Sequence, residues 1–520
     1  MPGYSPSPEE PPNEEEKFSL LTEHVSDVDS ESDIFDEKVR SSPLLPKVTH
    51  VLVNAARYVR SSSWLPLLTR LGIFLTPSFL QGRHAREQIR PAKLSPTAYL
   101  DGMRGLAAFF VFFCHYFYQA FIIAEGYGAG DNNYHFLKLP FIRLFYQGPP
   151  AVCLFFVISG YALSYRPLKF VRSGAMSDFS TTISSLVFRR GIRLYLPTAI
   201  STFMIICLLR IGAYEWTRNF ANDKTYMKNV VEPHPARMES ASAQYLDWAW
   251  HMFKFVHVFG WDKYGGSTSY DVHLWTIPVE FRCSLYLFLV LVGTARLQTR
   301  FRLLVVSGVM WFTYRHSRWE LVLFLCGMVL AELDLIRGAH KAAPSELPLH
   351  GGPKPRFARC KQIFWAALSI LGLYFMCQPD LRGDITPGWV WLHTLIPKWW
   401  QEEPYRYYQS IGSVIFAFAV GYSPSWQWFF NTGAVQYFGK LSYAIYLMHG
   451  PAMHCIGYHW EKMAYSITGV EGYWYNAGFV LGSVFCIPTV IWCADVFWRA
   501  VDIPTVKFAK WVESKVIVKS

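Results

Sequence analysis

The chain has 520 residues, of which 52% are hydrophobic and 17% aromatic, and only 17% are charged, against about 25% in an average soluble domain. That balance excludes a disordered or fibrous protein and a small disulfide scaffold, but leaves a large soluble enzyme and a membrane protein both open. The net charge of +11 conceals a division: residues 1–40 carry twelve acids and three bases, a net of −9, which leaves +20 on the remainder. Those bases cluster between long apolar runs, as in a membrane protein with basic cytosolic loops. No zinc-finger or RNA-recognition signature accompanies them, so no nucleic-acid partner is expected.

Residues 1–48 are rich in Pro, Ser and acids and poor in large apolar groups, too little to offset the entropy of ordering, and read as a disordered tail. No basic segment and apolar run precede a cleavage site, so no cleaved signal peptide is expected. Residues 49–96 mix apolar stretches with Arg57, Arg60 and Arg70 and are broken by Pro66 and Pro77, which suits helices lying on a membrane surface. Residues 97–500 read as a membrane domain and 501–520 as a cytosolic tail.

Ten apolar stretches near spanning length follow, at 103–124, 148–165, 191–211, 272–294, 301–315, 319–337, 362–378, 408–422, 434–455 and 474–498. Backbone polar groups in lipid must pair internally, so these should be helices, and the expected fold is an all-α, polytopic bundle of about ten transmembrane helices surrounded by membrane lipids. Bases crowd alternate loops: Arg83 to Lys93, Arg166 to Arg190, Arg296 to Arg302, Lys341 to Lys361, and Lys507 to Lys515. That alternation places both termini in the cytosol and the long loops 212–271 and 379–407, rich in Trp, Tyr and Pro, on the other side.

Nine of the ten cysteines fall within these stretches and Cys360 lies at a loop edge, which suits small apolar thiols rather than bridges or metal ligands. The chain has no CxxC, HExxH, P-loop or GxSxG pattern, so metal-dependent and serine-triad hydrolysis lose support. No resident metal or permanently bound cofactor is expected.

Ionisable groups inside spans are functional candidates by default. Arg104 and His115 are eleven residues apart; at about 100° per residue that is three turns and about 20°, so they share one helix face about 16 Å apart along the axis, with Asp101 one turn earlier. The plain alternative is a snorkelling Arg and a His satisfied by a carbonyl. Glu280 sits inside the fourth span and should turn into the bundle to meet a cation or His; Arg282, two residues on, does not face it, so a partner across the bundle is expected. A tie between helices is the bland reading of Glu280. Arg189, Arg190 and Arg193 precede the third span, where they either obey the positive-inside rule or hold phosphates. His449 lies just before a Gly-Pro break in the ninth span, where kink packing and catalysis are both open; with Tyr446 and Trp275 it is a candidate for contacting substrate.

Together these segments resemble the acyltransferase family 3 of integral-membrane acyltransferases, particularly its fungal members. The matching stretches are Tyr99-Leu-Asp-Gly-Met-Arg-Gly-Leu-Ala-Ala with His115; Leu154-Phe-Phe-Val-Ile-Ser-Gly-Tyr161; Arg189-Arg-Gly-Ile-Arg-Leu-Tyr-Leu-Pro197; Leu274-Trp-Thr-Ile-Pro-Val-Glu280; Phe324-Leu-Cys-Gly-Met-Val-Leu330; and Leu441-Ser-Tyr-Ala-Ile-Tyr-Leu-Met-His449. They occur in the family's order. The resemblance implies transfer of an acyl group, usually acetyl from acetyl-CoA, to a hydroxyl of a carbohydrate, lipid or small molecule. It carries the family's Arg and His onto Arg104 and His115, its basic motif onto Arg190 and Arg193, and its carboxylate onto Glu280. Phe281-Arg282 departs from the common bacterial pattern, which has a second acid and Gln there.

The chemistry fits. A neutral imidazole, with an ordinary pKa near 6.5, can take the proton of a hydroxyl as it attacks a thioester, which makes His115 the candidate base. Glu280 or Asp101 would orient that imidazole, and Arg104, Arg190 and Arg193 would bind the CoA phosphates. An acyl intermediate on His115 itself is a further route. The competing reading is a transporter or proton-coupled permease with Arg104, His115 and Glu280 as its polar path; it calls for inverted repeats, and none is visible between the two halves.

Overall fold

The computed structural model describes residues 65–81, 94–131, 133–256, 266–339, 356–400 and 403–517. The expected acidic tail, residues 1–48, and most of the interfacial segment lie outside them. The chain divides into two units, Met1–Ala98 and Tyr99–Ser520. In the first, the described residues form a helix, α1 (Leu65–Leu75), and a short 3-10 turn at Ser78–Leu80 after Pro77.

The rest is all-helical: the described residues hold no strand, only two isolated bridges. In order come α2 (Ala98–Ala120), α3 (Gly148–Ser173), α4 (Met176–Arg210), α5 (Glu215–Asn222), α6 (Ala241–Val256), α7 (Thr276–Thr294), α8 (Thr299–Arg315) and α9 (Trp319–Arg337). They are followed by α10 (Arg356–Met376), α11 (Val390–Thr394), α12 (Arg406–Tyr422), α13 (Pro424–Phe430), α14 (Gly433–Ala452), α15 (Tyr458–Thr468), α16 (Gly472–Phe497) and α17 (Ile503–Val516). Each of the ten apolar intervals coincides with one of these helices. Four of the long elements, Gly148–Ser173, Met176–Arg210, Val272–Thr294 and Gly472–Val516, are long and apolar enough to cross a membrane.

Local sequence sets several boundaries. Pro149 and Pro150 open α3, where a missing N–H costs nothing, and Gly174 closes it in the left-handed region at φ 73°. One boundary differs from expectation. The third span was expected to start at residue 191, with Arg189, Arg190 and Arg193 at its entrance, yet α4 begins at Met176 and runs 35 residues, about 52 Å. Arg189, Arg190 and Arg193 therefore lie along the shaft of a continuous helix. The Ser- and Thr-rich stretch before them carries no apolar run to reveal it.

The distribution of polarity is that of a membrane protein. Leu304, Trp311 and Phe312 on α8 and Val480 and Val484 on α16 are exposed, while Arg302, Glu332, Asp334, Arg406 and Asp495 are buried. The buried charges are paired, as their desolvation requires: Arg302 donates to Glu332 at 2.7 Å and Arg499 to Asp495 at 2.6 Å. Helices α2 and α14 approach closely through small residues. A Cβ on Gly105 would collide with the backbone nitrogen of Gly439, so only glycine permits that crossing. All ten cysteines are free.

Candidate active site

The close approach of α2 to α14 brings His115 and His449 together, and a 3-10 turn at Val272–Trp275, at the head of α7, adds His273. The three rings form a tight triangle, with centroid separations of 4.2 Å for His115 and His273, 4.7 Å for His273 and His449, and 5.3 Å for His115 and His449. His449 is fully buried. Its Nδ1 lies 3.1 Å from the Ile445 carbonyl one turn back, an acceptor that makes Nδ1 the protonated nitrogen. The remaining Nε2, like Nδ1 of His115, is buried without a hydrogen-bond partner from the protein.

His273 is held differently. Asp271 caps the 3-10 turn, accepting from the His273 backbone N–H at 3.0 Å and from its ring Nδ1 at 2.7 Å. On the other side, Nε2 donates to Glu232 Oε1 at 2.9 Å. Glu232 comes from the irregular segment between α5 and α6, and its second oxygen accepts from His454 Nε2 at 3.1 Å and Gln119 Nε2 at 3.0 Å. Burial would raise this carboxyl, but His273 and His454 outweigh it and hold Glu232 well below the usual carboxylate range. Gln119 is one turn beyond His115 on α2, and its own oxygen accepts from Tyr458. Tyr446 braces the turn, accepting from Thr276 at 2.7 Å and donating to the His273 carbonyl.

Nitrogen atoms of the three histidines lie within 4.8 Å of one another, a spacing open to a metal ion. The donor set argues against it. Both His273 nitrogens face carboxylates and both must donate, so the ring offers no lone pair; only His115 and His449 have one free.

The helix around Pro451 widens into a π turn at Met453–Gly457, a feature frequent at functional sites. Gly450 lets this segment approach the Asp271–His273 pair, since an added Cβ there would meet His273 Nδ1 at 3.0 Å and Asp271 Oδ2 at 3.1 Å. A small, open cleft bordered by Tyr214, Pro233, Tyr270, Asp271 and His454 reaches His273 from the loop side.

The other expected residues lie outside the histidine triangle. Arg104 is half-exposed, pairs with Asp101 at 3.1 Å and donates Nε to Ser442 on α14 at 3.1 Å. Glu280 finds its cation across the bundle, as its position in the span required: it accepts from Arg190 at 2.7 Å and from Ser159 at 3.0 Å, while Arg190 Nε donates to Ser284. Asp101 and Glu280 were the expected orienters of His115; their partners are arginines, and the acids nearest the histidines are Asp271 and Glu232. Arg193 lies on the same helix as Arg190, half-buried. Trp275 stacks beside Arg406, whose Cζ is 5.5 Å from its ring. The Asp271-Val-His273 triplet at the start of the fourth span was the signal that could have revealed His273. Nothing in the sequence marks Glu232, which sits 41 residues upstream between irregular turns.

The described residues thus form an all-helical bundle with Arg104 and His115 on one face of α2 and a histidine cluster at its inner end. Residues 97–498 match the acyltransferase domain that defines acyltransferase family 3, and the chain belongs to that family. It is therefore an acyltransferase of groups other than amino-acyl. It is 32% identical over 469 residues to O-acetyltransferase PaAT-1 of Phomopsis amygdali, covering 86% of this chain and 89% of that one. It is 26% identical to acyltransferase R4 of a Phoma species, covering 80% and 96% of the two chains, and 26% identical to acyltransferase clz18 of Cochliobolus lunatus, covering 79% and 94%. No solved structure is detectably similar.

Proposed function

We propose that the protein is a multi-pass membrane O-acyltransferase that moves an acetyl group from acetyl-CoA to a hydroxyl of a lipid, carbohydrate or small-molecule acceptor, with His115 as general base. The observation that carries this reading is the unpartnered, buried Nδ1 of His115, on the same face of α2 as the half-exposed Arg104. A base needs a free lone pair in a site screened from water, and a phosphate-bearing donor needs an accessible cation at the entrance. The relative named as an O-acetyltransferase supports the acetyl group and the oxygen acceptor.

The thioester carbonyl lies beside His115. The acceptor oxygen attacks it while the hydroxyl proton passes to the ring; the tetrahedral intermediate then collapses, the C–S bond breaks, and the proton returns to the departing CoA sulfur. His449, whose unpartnered Nε2 carries the lone pair, accepts a hydrogen bond from the attacking hydroxyl and orients it. Arg104 binds donor phosphates, and Arg190 and Arg193 lend positive charge to the same side. Ten spans with both termini in the cytosol fit the coincidence of all ten apolar intervals with helices and the alternation of basic loops.

The test is acetyl transfer by the purified chain. A comparison of acylated metabolites and glycans between deletion and wild-type cells identifies the acceptor. His115→Ala should then abolish transfer from acetyl-CoA to it; transfer at the wild-type rate would remove the central claim.

A further inference from the structure

We propose that His273 is a positioning residue, held as an imidazolium between Asp271 and Glu232, and that this fixed cation sets the charge state of His115 across the ring contact. The inference rests on His115 as the base and adds the element that keeps it ready to accept a proton.

The argument is one of hydrogen-bond valence. An ionised carboxylate only accepts. His273 Nδ1 faces Asp271 at 2.7 Å and Nε2 faces Glu232 at 2.9 Å, so both ring nitrogens must carry protons and the ring is cationic. All three side chains are nearly inaccessible, with 2%, 3% and 6% of their surface exposed for His273, Asp271 and Glu232, so the two carboxylates, not bulk water, are the partners of the ring. The edge-on contact with His115, at 4.2 Å between centroids, places this charge closer to the base than any other. The remaining ionisable groups facing the pair are His449 from α14 and His454 from the π turn; Tyr118 and Tyr446 contribute neutral hydroxyls. A cation so close disfavours a second proton on His115, leaving the ring one lone pair for the acceptor hydroxyl.

Charge and packing make different predictions. Removing the cation while both carboxylates remain leaves His115 beside uncompensated negative charge, so in His273→Gln it should titrate about 1–3 pH units higher. Removing one negative charge, in Glu232→Gln or Asp271→Asn, should move the titration the other way by a smaller amount. A merely structural contact would move none of them, or all in the same direction.

The experiment uses the full-length protein in detergent and needs no acceptor. Diethyl pyrocarbonate reacts with unprotonated imidazole, and mass spectrometry of the His115 peptide across pH gives the titration, with ¹⁵N-imidazole shifts as a second readout. Opposite displacements in His273→Gln and Glu232→Gln support the proposal. Coincident curves, or displacements of one sign, overturn it. Should His273→Gln fail to fold, the two carboxylate variants decide: a downward move supports the proposal and an unmoved curve overturns it. Failure of the base reading is separate, because it appears as acetyl transfer surviving in His115→Ala whatever the titration shows.

Discussion

Arg190 on α4 and Glu280 on α7 meet at 2.7 Å, with Ser159 and Ser284 completing the hydrogen bonds of the pair. Both side chains are mostly buried, so either one alone would be a poorly solvated charge. Arg190→Ala and Glu280→Ala should each destabilise the protein by about 2 kcal/mol, less than the roughly 3–5 kcal/mol of a fully buried pair. The double variant should cost well under the sum. Thermal midpoints of the four proteins in detergent check this coupling, and strict additivity would show that the pair contributes nothing.

Arg104 and His115 should separate by kinetic parameter. His115→Ala is expected to lower kcat by about 10²–10⁴-fold, the range for loss of a general base. Arg104→Gln should leave kcat nearly intact while raising KM for acetyl-CoA, because its half-exposed guanidinium contributes to binding rather than to proton transfer. Steady-state kinetics over acetyl-CoA concentration distinguish the two.

Gly450→Ala is a steric probe of the histidine cluster. The new methyl would press on His273 Nδ1 and Asp271 Oδ2, 3.0 and 3.1 Å away, and neither can retreat without disturbing the hydrogen bonds of the 3-10 turn. Activity should fall about tenfold or more, with a stability loss of about 1–3 kcal/mol, typical of overpacking. An unchanged kcat would show that the turn has room to yield.

Glu232 predicts a pH dependence of stability. Its carboxyl is buried, yet His273 and His454 hold it below its ordinary value of 4.5. A folded-state value below the unfolded one adds stability that is present in full above the unfolded value and is lost as pH falls through the folded one. The thermal midpoint of Glu232→Gln should therefore lie well below that of the wild type at pH 7, and the gap should narrow below about pH 4.5. Differential scanning fluorimetry from pH 8 down to about pH 2.5 measures the gap; a constant difference across that range would contradict the linkage.

Much of the helical layout was legible because apolar runs near spanning length leave the backbone few alternatives. The part of α4 before residue 191 was not, since Ser177, Asp178, Ser180, Thr181 and Thr182 interrupt any hydrophobic signature at the start of that continuous helix. Desolvation logic correctly sent Glu280 to a cation across the bundle. The same logic could not name Arg190 as the partner, because that depends on how α4 and α7 pack. His449 and His115 were visible as intramembrane histidines. His454 was not, because five residues on a regular helix turn a side chain about 140° away from its starting face. Glu232 was beyond reach for a different reason: its role arises from a loop folded back over the helix ends, and no local periodicity encodes that return.

The π turn at Met453–Gly457 acts as a phase correction in the chain. It inserts angular slack between His449 and His454, so one polypeptide segment presents a ring to His273 and, five residues later, a second ring to Glu232. A single-residue deletion there would restore ordinary winding and rotate all of α15 by about 100° relative to α14. Tyr458 would then be carried away from Gln119, with which it is hydrogen-bonded. Chain length in this segment is therefore under tighter constraint than residue identity, and insertions or deletions should be tolerated there far less readily than substitutions.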